Sequence, residues 1–281
     1  MFDRLKNLIR DSRDRERIAI ALSRGAAMRA ARTVDLGRPE SWEFSGFSQN
    51  GEDGLLEVLR SQLKSSNRTF VEIGAADGIE NNTAWLLIAE RYGGVMVEGN
   101  PYLAARAQRS VIPHSIAAEA VQMFVTRDNV GEIAARALFK DPDVFSLDID
   151  GNDYYIAKAV FDCGIRPKVF VVEYNSVFGP DRECTIPYQA DFTIERHPTQ
   201  LWYGVSVAGW RKFFTERGYR FVTVDRNGVN AFFVDPQHFE RGFLDGIAGC
   251  SWRENFYQLR KFRKSSAEQF ALIESEPIHM V

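Results

Sequence analysis

The chain has 281 residues, 45% of them apolar, enough for one sizeable core with appendages. A formal charge of −3 says little about nucleic acid, but the body of the chain has no basic stripe interleaved with aromatics, and no nucleic-acid partner is expected. No run approaches about 18 apolar residues, which argues against a helical membrane span. The three cysteines (Cys163, Cys184 and Cys250) lack zinc-binding spacing and fit a reducing compartment.

Residues 1–38 carry ten Arg or Lys and five Asp or Glu, with Leu5, Leu8, Ile9, Ile18, Ala19 and Leu22 at helical spacings. They read as a helical appendage that packs on the body or on a second subunit, so a homo-oligomer is expected. Phe2, Leu5 and Ile9, flanked by Arg4, Lys6 and Arg10, offer a second reading as a weak peripheral membrane contact. Asp3, Arg4 and Lys6 interrupt the first apolar residues, so no secretory leader is read and a cytoplasmic location is expected. The glycines and small polar groups of Ser48-Gln-Asn-Gly-Glu-Asp-Gly54 form a loop. It is either a connection or a cover for a ligand, to which Gln49, Asn50 and Glu52 would offer contacts. A helix over Leu55–Leu63 follows.

Thr69-Phe-Val-Glu-Ile-Gly-Ala-Ala-Asp-Gly78 organises the rest of the chain. Phe70, Val71 and Ile73 suit a buried strand, Gly74 and Gly78 allow a tight turn, and Asn81, Asn82 and Thr83 can cap the helix that follows. Strand, glycine turn and helix place a ligand outside the carboxyl end of a strand. Glu72 and Asp77 can hold an amine or hydroxyls but would repel a pyrophosphate, which favours a nucleoside without phosphates such as S-adenosylmethionine. A second strand at Val95–Glu98 puts Glu98 24 residues after Gly74, where an acid accepts hydrogen bonds from ribose hydroxyls. A third strand is predicted at His114–Ala117, and a helix at Val130–Phe139.

The fourth strand, Asp143–Asp150, ends in Asp148, Asp150 and Asp153, of which Asp153 suits a helix cap. Close carboxylates need a cation or a proton between them, and oxygen-only ligands favour magnesium, calcium or manganese. A fifth, nearly continuous apolar strand at Lys168–Glu173 delivers Glu173, Tyr174 and Asn175 to the same edge. A loop at 176–205 then reads as a lid or substrate pocket, with His197 either titrating near neutrality in it or lying on the surface. Strands at Tyr219–Val224 and Asn230–Val234, around Asp225-Arg-Asn-Gly228, form a hairpin. The expected fold is α/β: a doubly wound, Rossmann-like sheet of seven mostly parallel strands with a C-terminal antiparallel hairpin, the class I methyltransferase plan. The expected division is a helical appendage at 1–38, a methyltransferase domain at 39–236 and an aromatic helical extension at 237–281.

Val71-Glu-Ile-Gly-Ala-Ala-Asp-Gly78 with Asn81-Asn82-Thr83, Ser146-Leu-Asp-Ile-Asp-Gly-Asn-Asp-Tyr154 and Ser48-Gln-Asn-Gly-Glu-Asp53 resemble the signature segments of FkbM-type S-adenosylmethionine-dependent methyltransferases over roughly residues 47–235. The resemblance implies O-methylation of a sugar or a glycosylated natural product. Glu72, Gly74 and Gly78 would surround the methionine and sugar part of the cofactor, and Glu98 would hold the ribose. Asp77, Asn82 and Gln49 are further candidates for contact with the cofactor. Asp148-Ile-Asp-Gly-Asn-Asp-Tyr154 also looks like the metal-bearing strand end of cation-dependent O-methyltransferases. That likeness implies Mg2+ or Mn2+ held by Asp148, Glu173 and Asn175, although Tyr174 separates an acid and amide that are adjacent in those enzymes. Asp150 or His197 would take the acceptor proton. The competing readings are a nicotinamide oxidoreductase, a metal-dependent sugar-nucleotide enzyme of the glycosyltransferase type, and a non-catalytic scaffold.

Overall fold

The computed structural model describes the backbone of residues 2–281 and the side chains of residues 10–281. The membrane-contact reading of Phe2, Leu5 and Ile9 falls outside the described side chains. Five parallel strands form in chain order: β1 (Thr69–Ile73), β2 (Gly93–Glu98), β3 (Ala118–Gln122), β4 (Val144–Leu147) and β5 (Val169–Glu173). A two-residue strand, β6 (Cys184–Thr185), lies apart, and the main sheet is completed by β7 (Arg220–Val224) and β8 (Asn230–Val234). The order is β3-β2-β1-β4-β5-β8-β7, with β8 antiparallel to both neighbours. This is the class I methyltransferase fold, a seven-stranded, Rossmann-like sheet ending in an antiparallel hairpin.

Side chains alternate across the sheet with a period of two. Phe70, Met96, Val144, Val169, Val171, Phe232 and Val234 face α2 (Glu52–Ser61) and α3 (Ala84–Ile88), packing with Leu55, Leu59 and Trp85. Val71, Ile73, Phe145, Leu147, Phe170, Val172 and Phe233 face the opposite layer of α5 (Val130–Arg136), α6 (Asp153–Asp162) and α7 (Val207–Thr215). With both faces covered, the central strands read as continuous apolar runs. The same period puts Glu72, Asp148, Glu173 and Asn230 on the α2/α3 side, each at the ligand-facing end of its strand.

The third strand differs from its expected position. Residues 112–114 form a short 3-10 turn with Pro113 inside it, and pairing begins only at Ala118, opposite Gly94. Pro113 suits the start of a turn and has no N–H for a ladder, and this half-exposed edge strand lacks the apolar density that marks the others.

The N-terminal helix α1 (Phe2–Ala31) lies on the body between Trp85 and α4 (Pro101–Ser110). Ile18 and Ala21 join the core, and buried Asp14 accepts from Arg106 Nε at 2.9 Å and from Ser110 Oγ at 2.9 Å. The 176–205 segment is ordered by the chain's end. β6 pairs with β9 (His279–Met280), and Phe178, Phe192, Leu201, Trp202 and Tyr203 share a small core with Phe262, Phe270 and Ile273. The last described helices are α8 (Arg241–Asp245), α9 (Phe256–Phe262) and α10 (Ser266–Phe270).

Candidate active site

The strand order reverses between β1 and β4, and a cleft of about 560 Å³ opens at the carboxyl ends of those strands. Its charged lining is carboxylate throughout, from Glu52, Glu72, Glu80, Glu98, Asp148, Asp150 and Glu195. Among the described residues no Lys, Arg or His lines it. A cleft of this charge attracts cations and repels phosphates.

On the β1–β2 side each of the acids Glu98 and Glu72 accepts from its own chain. Glu98 Oε2 accepts from Ala76 N at 2.8 Å and Oε1 from Asn100 N at 2.7 Å, which fixes the carboxylate at the cleft wall. Glu72 accepts from Asn82 N at 2.9 Å and from the Thr83 hydroxyl, while Asn82 Nδ2 donates to Ser146 Oγ at 3.0 Å. Burial pushes the Glu72 carboxyl up to about 7. Gly74 (φ 90°) is required for close approach, because a Cβ there would lie 1.7 Å from the Asp148 carbonyl oxygen. Gln49 reaches across to Glu80, with Nε2 2.6 Å from Oε1. Its loop is shaped by buried Asp53, which accepts from the backbone N–H of Gly46, Phe47 and Ser48 at 2.7, 2.7 and 3.1 Å. Burial holds Asp53 near 7.

Asp77 and Gly78 do not line the cleft. Asp77 is committed to Arg17 at 2.6 Å and Arg106 at 3.0 Å. Despite burial, these pairs hold its carboxyl below the usual range. Gly78 faces α4 instead, where an added Cβ would sit 2.9 Å from Ala107 Cβ. Both therefore fasten the post-β1 loop to α4, and Asp77 ties it to α1 as well.

On the β4–β5 side the acids face one another. Oxygens of Asp148, Asp150 and Glu173 lie within 4.8 Å of one another, a span that one cation with oxygen ligands at about 2.1–2.5 Å can bridge. Burial first, and then the Asp150 charge, raises Asp148 well above the usual carboxylate range. Burial and the Asp148 and Asp150 charges do the same to Glu173. Asp150, exposed at the cleft mouth, is raised by desolvation among its neighbours and by the Asp153 and Glu195 charges. It also holds a left-handed backbone conformation (φ 54°), which Asp tolerates better than most residues. The donor set is all oxygen and fits Mg2+, Mn2+ or Ca2+.

Asn175 and His197 are not brought to this group. Asn175 Nδ2 donates to the carbonyls of Leu201 and Tyr203 at 2.8 and 2.9 Å, and its Oδ1 accepts from Val177 N at 3.1 Å. The amide is spent on holding the 176–205 segment. His197 Nδ1 lies 2.9 Å from Thr199 Oγ1 and Nε2 lies 3.4 Å from Glu276, outside the cleft lining. Nor does Asp153 cap α6. Its carboxylate turns back to accept from Ile149 N at 3.0 Å and Gly151 N at 2.8 Å, shaping the loop that carries Asp150.

Several lining residues were not anticipated from the sequence. Met123, Phe124 and Val125 follow β3 and were hidden by the misplaced strand, although the run Ala120–Val125 carried the signal. Phe192–Glu195 come from the 176–205 segment, with Phe192 so close to Gly151 that a Cβ there would lie 2.3 Å from its ring. Asn230 begins β8, and because β8 runs antiparallel its first residue reaches the ligand edge.

No protein-family model matches the chain, and no curated protein does. Among solved structures, the O-methyltransferase from Bacillus cereus in complex with SAH is 17% identical, with a TM-score of 0.44, covering 78% of this chain and 89% of that one. The SAH-bound Podospora anserina methyltransferase PaMTH1 is 10% identical, with a TM-score of 0.45 and coverage of 76% and 87%. The O-methyltransferase TomG from Streptomyces achromogenes, involved in tomaymycin synthesis, is 15% identical, with a TM-score of 0.42 and coverage of 75% and 94%. At TM-scores below 0.5, these likenesses assign no activity to this chain.

Proposed function

We propose that this protein is an S-adenosylmethionine-dependent O-methyltransferase of the FkbM type, acting on a hydroxyl of a saccharide or glycosylated natural product with help from a divalent cation. The observation that carries this reading is a cleft at the switch point of a class I methyltransferase fold whose described charged lining is all carboxylate. A sulfonium and an ammonium, both cationic, suit such a lining. The same lining disfavours the diphosphates of nicotinamide and sugar-nucleotide cofactors.

In this reading Glu98 accepts from the ribose, Gly74 lets the backbone approach the cofactor, and Met123–Val125 wall the base. Glu72 and Asn82 hold the loop above β1, and Gln49 bounds the cleft beside Glu80. The methyl group passes in line from sulfur to the acceptor oxygen: the C–S bond breaks as the C–O bond forms, and the hydroxyl proton leaves to a base. Asp150 is that base, because it lines the cleft with its carboxylate beside Asp148. Asp148 and Glu173 would hold the divalent ion, which supplies Lewis acidity to a bound hydroxyl. The 176–205 segment covers the acceptor side, with Phe192 and Ile194 as apolar walls.

The test is release of S-adenosylhomocysteine from S-adenosylmethionine on a panel of mono- and oligosaccharides with Mn2+, using the wild type and Asp150→Asn. Turnover that falls by about 10²-fold or more in the variant supports the assignment. Equal turnover in both removes Asp150 from the mechanism. Cofactor binding without turnover on any saccharide redirects the acceptor class.

A further inference from the structure

Asn230 stands directly opposite Glu173 in the antiparallel pairing of β5 and β8. Residues so paired leave the sheet on the same face, with Cβ atoms about 4.5–5.5 Å apart. Asn230 is 3% exposed and lines the cleft with Asp148 and Asp150. Its Nδ2 is committed to Glu52 Oε1 at 2.8 Å, and Glu52 is itself held by Asn50 N at 2.6 Å and Asn50 Nδ2 at 2.8 Å. Glu52 thereby fixes which end of the Asn230 amide is the donor end. The other end, Oδ1, is buried and accepts from no donor among the described residues.

A buried amide oxygen without a donor is costly, and such an atom beside mutually repelling carboxylates calls for a positively charged partner. We propose that Asn230 Oδ1 is a ligand in a divalent-cation site completed by Asp148 and Glu173, beside the base Asp150. The inference rests on the cation-assisted reading above and deepens it. The set is two carboxylates and one neutral oxygen, chemistry suited to Mg2+, Mn2+ or Ca2+ rather than to zinc. Its neutral member comes from the antiparallel strand, while the amide following β5, Asn175, is consumed by the loop.

The test uses the full-length protein and Mn2+ alone, with bound metal read from loss of the free-ion electron paramagnetic resonance signal. S-adenosylmethionine binding in chelator and the melting temperature are followed in parallel. Wild type is expected to bind one Mn2+. Asn230→Ala is expected to bind it about 10-fold or more weakly, comparable to losses from disturbed metal sites. Asn230→Asp, which keeps an oxygen in place and adds charge, is expected to bind at least as tightly as wild type. All three should bind S-adenosylmethionine alike. Wild-type Mn2+ affinity in Asn230→Ala overturns the inference and leaves the cation reading standing. Equal weakening in the Ala and Asp variants also overturns it and reduces Asn230 to a prop for Glu52. No Mn2+ binding by wild type with normal cofactor binding removes both the inference and the cation, and leaves the methyltransferase reading intact. If Asn230→Ala does not fold, the Asp variant decides: retained or tighter Mn2+ binding supports the inference, weaker binding overturns it.

Discussion

The two halves of the cleft use the same residue types in opposite ways. Around the ends of β1 and β2, each of these carboxylates is held by donors of its own chain: Glu98, with acceptor capacity left toward the cleft, by Ala76 and Asn100, Glu72 by Asn82 and Thr83, Asp77 by Arg17 and Arg106. Around β4, β5 and β8, Asp148, Asp150 and Glu173 face one another, and Asn230 Oδ1 accepts from none of the described donors. An acid held in this way fixes backbone and shapes a wall, whereas acids that repel one another are poised for a ligand. In the proposed reading the first half builds the cofactor's cradle, and the second carries the chemistry.

The largest effect should come from breaking the second half. Asp148→Asn is expected to lower methyl transfer by about 10²–10³-fold while leaving S-adenosylmethionine affinity in chelator near wild type, measured by turnover and calorimetry together. It should also raise the melting temperature of the cation-free protein, because one member of a repelling set is neutralised. A drop in stability would show that the acids are satisfied without a cation.

Next in size is Gly74→Ala. A Cβ 1.7 Å from the Asp148 carbonyl, at φ 90°, forces the β1 and β4 ends apart. The predicted cost is about 2–4 kcal/mol of stability in denaturant unfolding, together with loss of cofactor binding. Glu98→Gln should be milder. It keeps part of the hydrogen bonding to Ala76 and Asn100 but removes the charge offered to ribose hydroxyls, weakening cofactor binding by about 10-fold, roughly 1.4 kcal/mol.

The smaller effects follow from pH and from His197. Asp53 and Glu72 titrate near 7 when folded and near 4 when unfolded, so between those values the folded state holds more protons. The stability these groups contribute should be full below about pH 4 and be lost as pH rises from there through 7, which melts at pH 5.5 and 8 would reveal. His197→Ala should change turnover by about twofold or less, since His197 lies outside the cleft lining and its ring faces Thr199 and Glu276.

Much of this was legible in the sequence where the signal is local. The apolar runs of β1, β4 and β5, the glycine turn and the Asp-Arg-Asn-Gly hairpin specify the sheet, and Glu98 and the Asp148–Asp150 pair reach the cleft because strand ends face it. The rest depends on register and on distant partners. Asp77 sits within the signature segment, yet Arg17 on α1 and Arg106 on α4 claim its carboxylate. Asn175 is near in sequence to Glu173, whereas Asn230 is near in space through antiparallel pairing. The 176–205 segment reads as irregular because the residues that order it, Ile273 and the β9 pair, lie at the far end of the chain.

The central claim is that a carboxylate-lined cleft selects a cationic nucleoside without phosphates. The most direct test is calorimetric titration of the full-length protein, in chelator, with S-adenosylmethionine, NAD+ and UDP-glucose in turn. The account predicts micromolar binding of S-adenosylmethionine and no measurable binding of the two diphosphates. Tight binding of either diphosphate with none of S-adenosylmethionine, by protein shown to be folded, would contradict it.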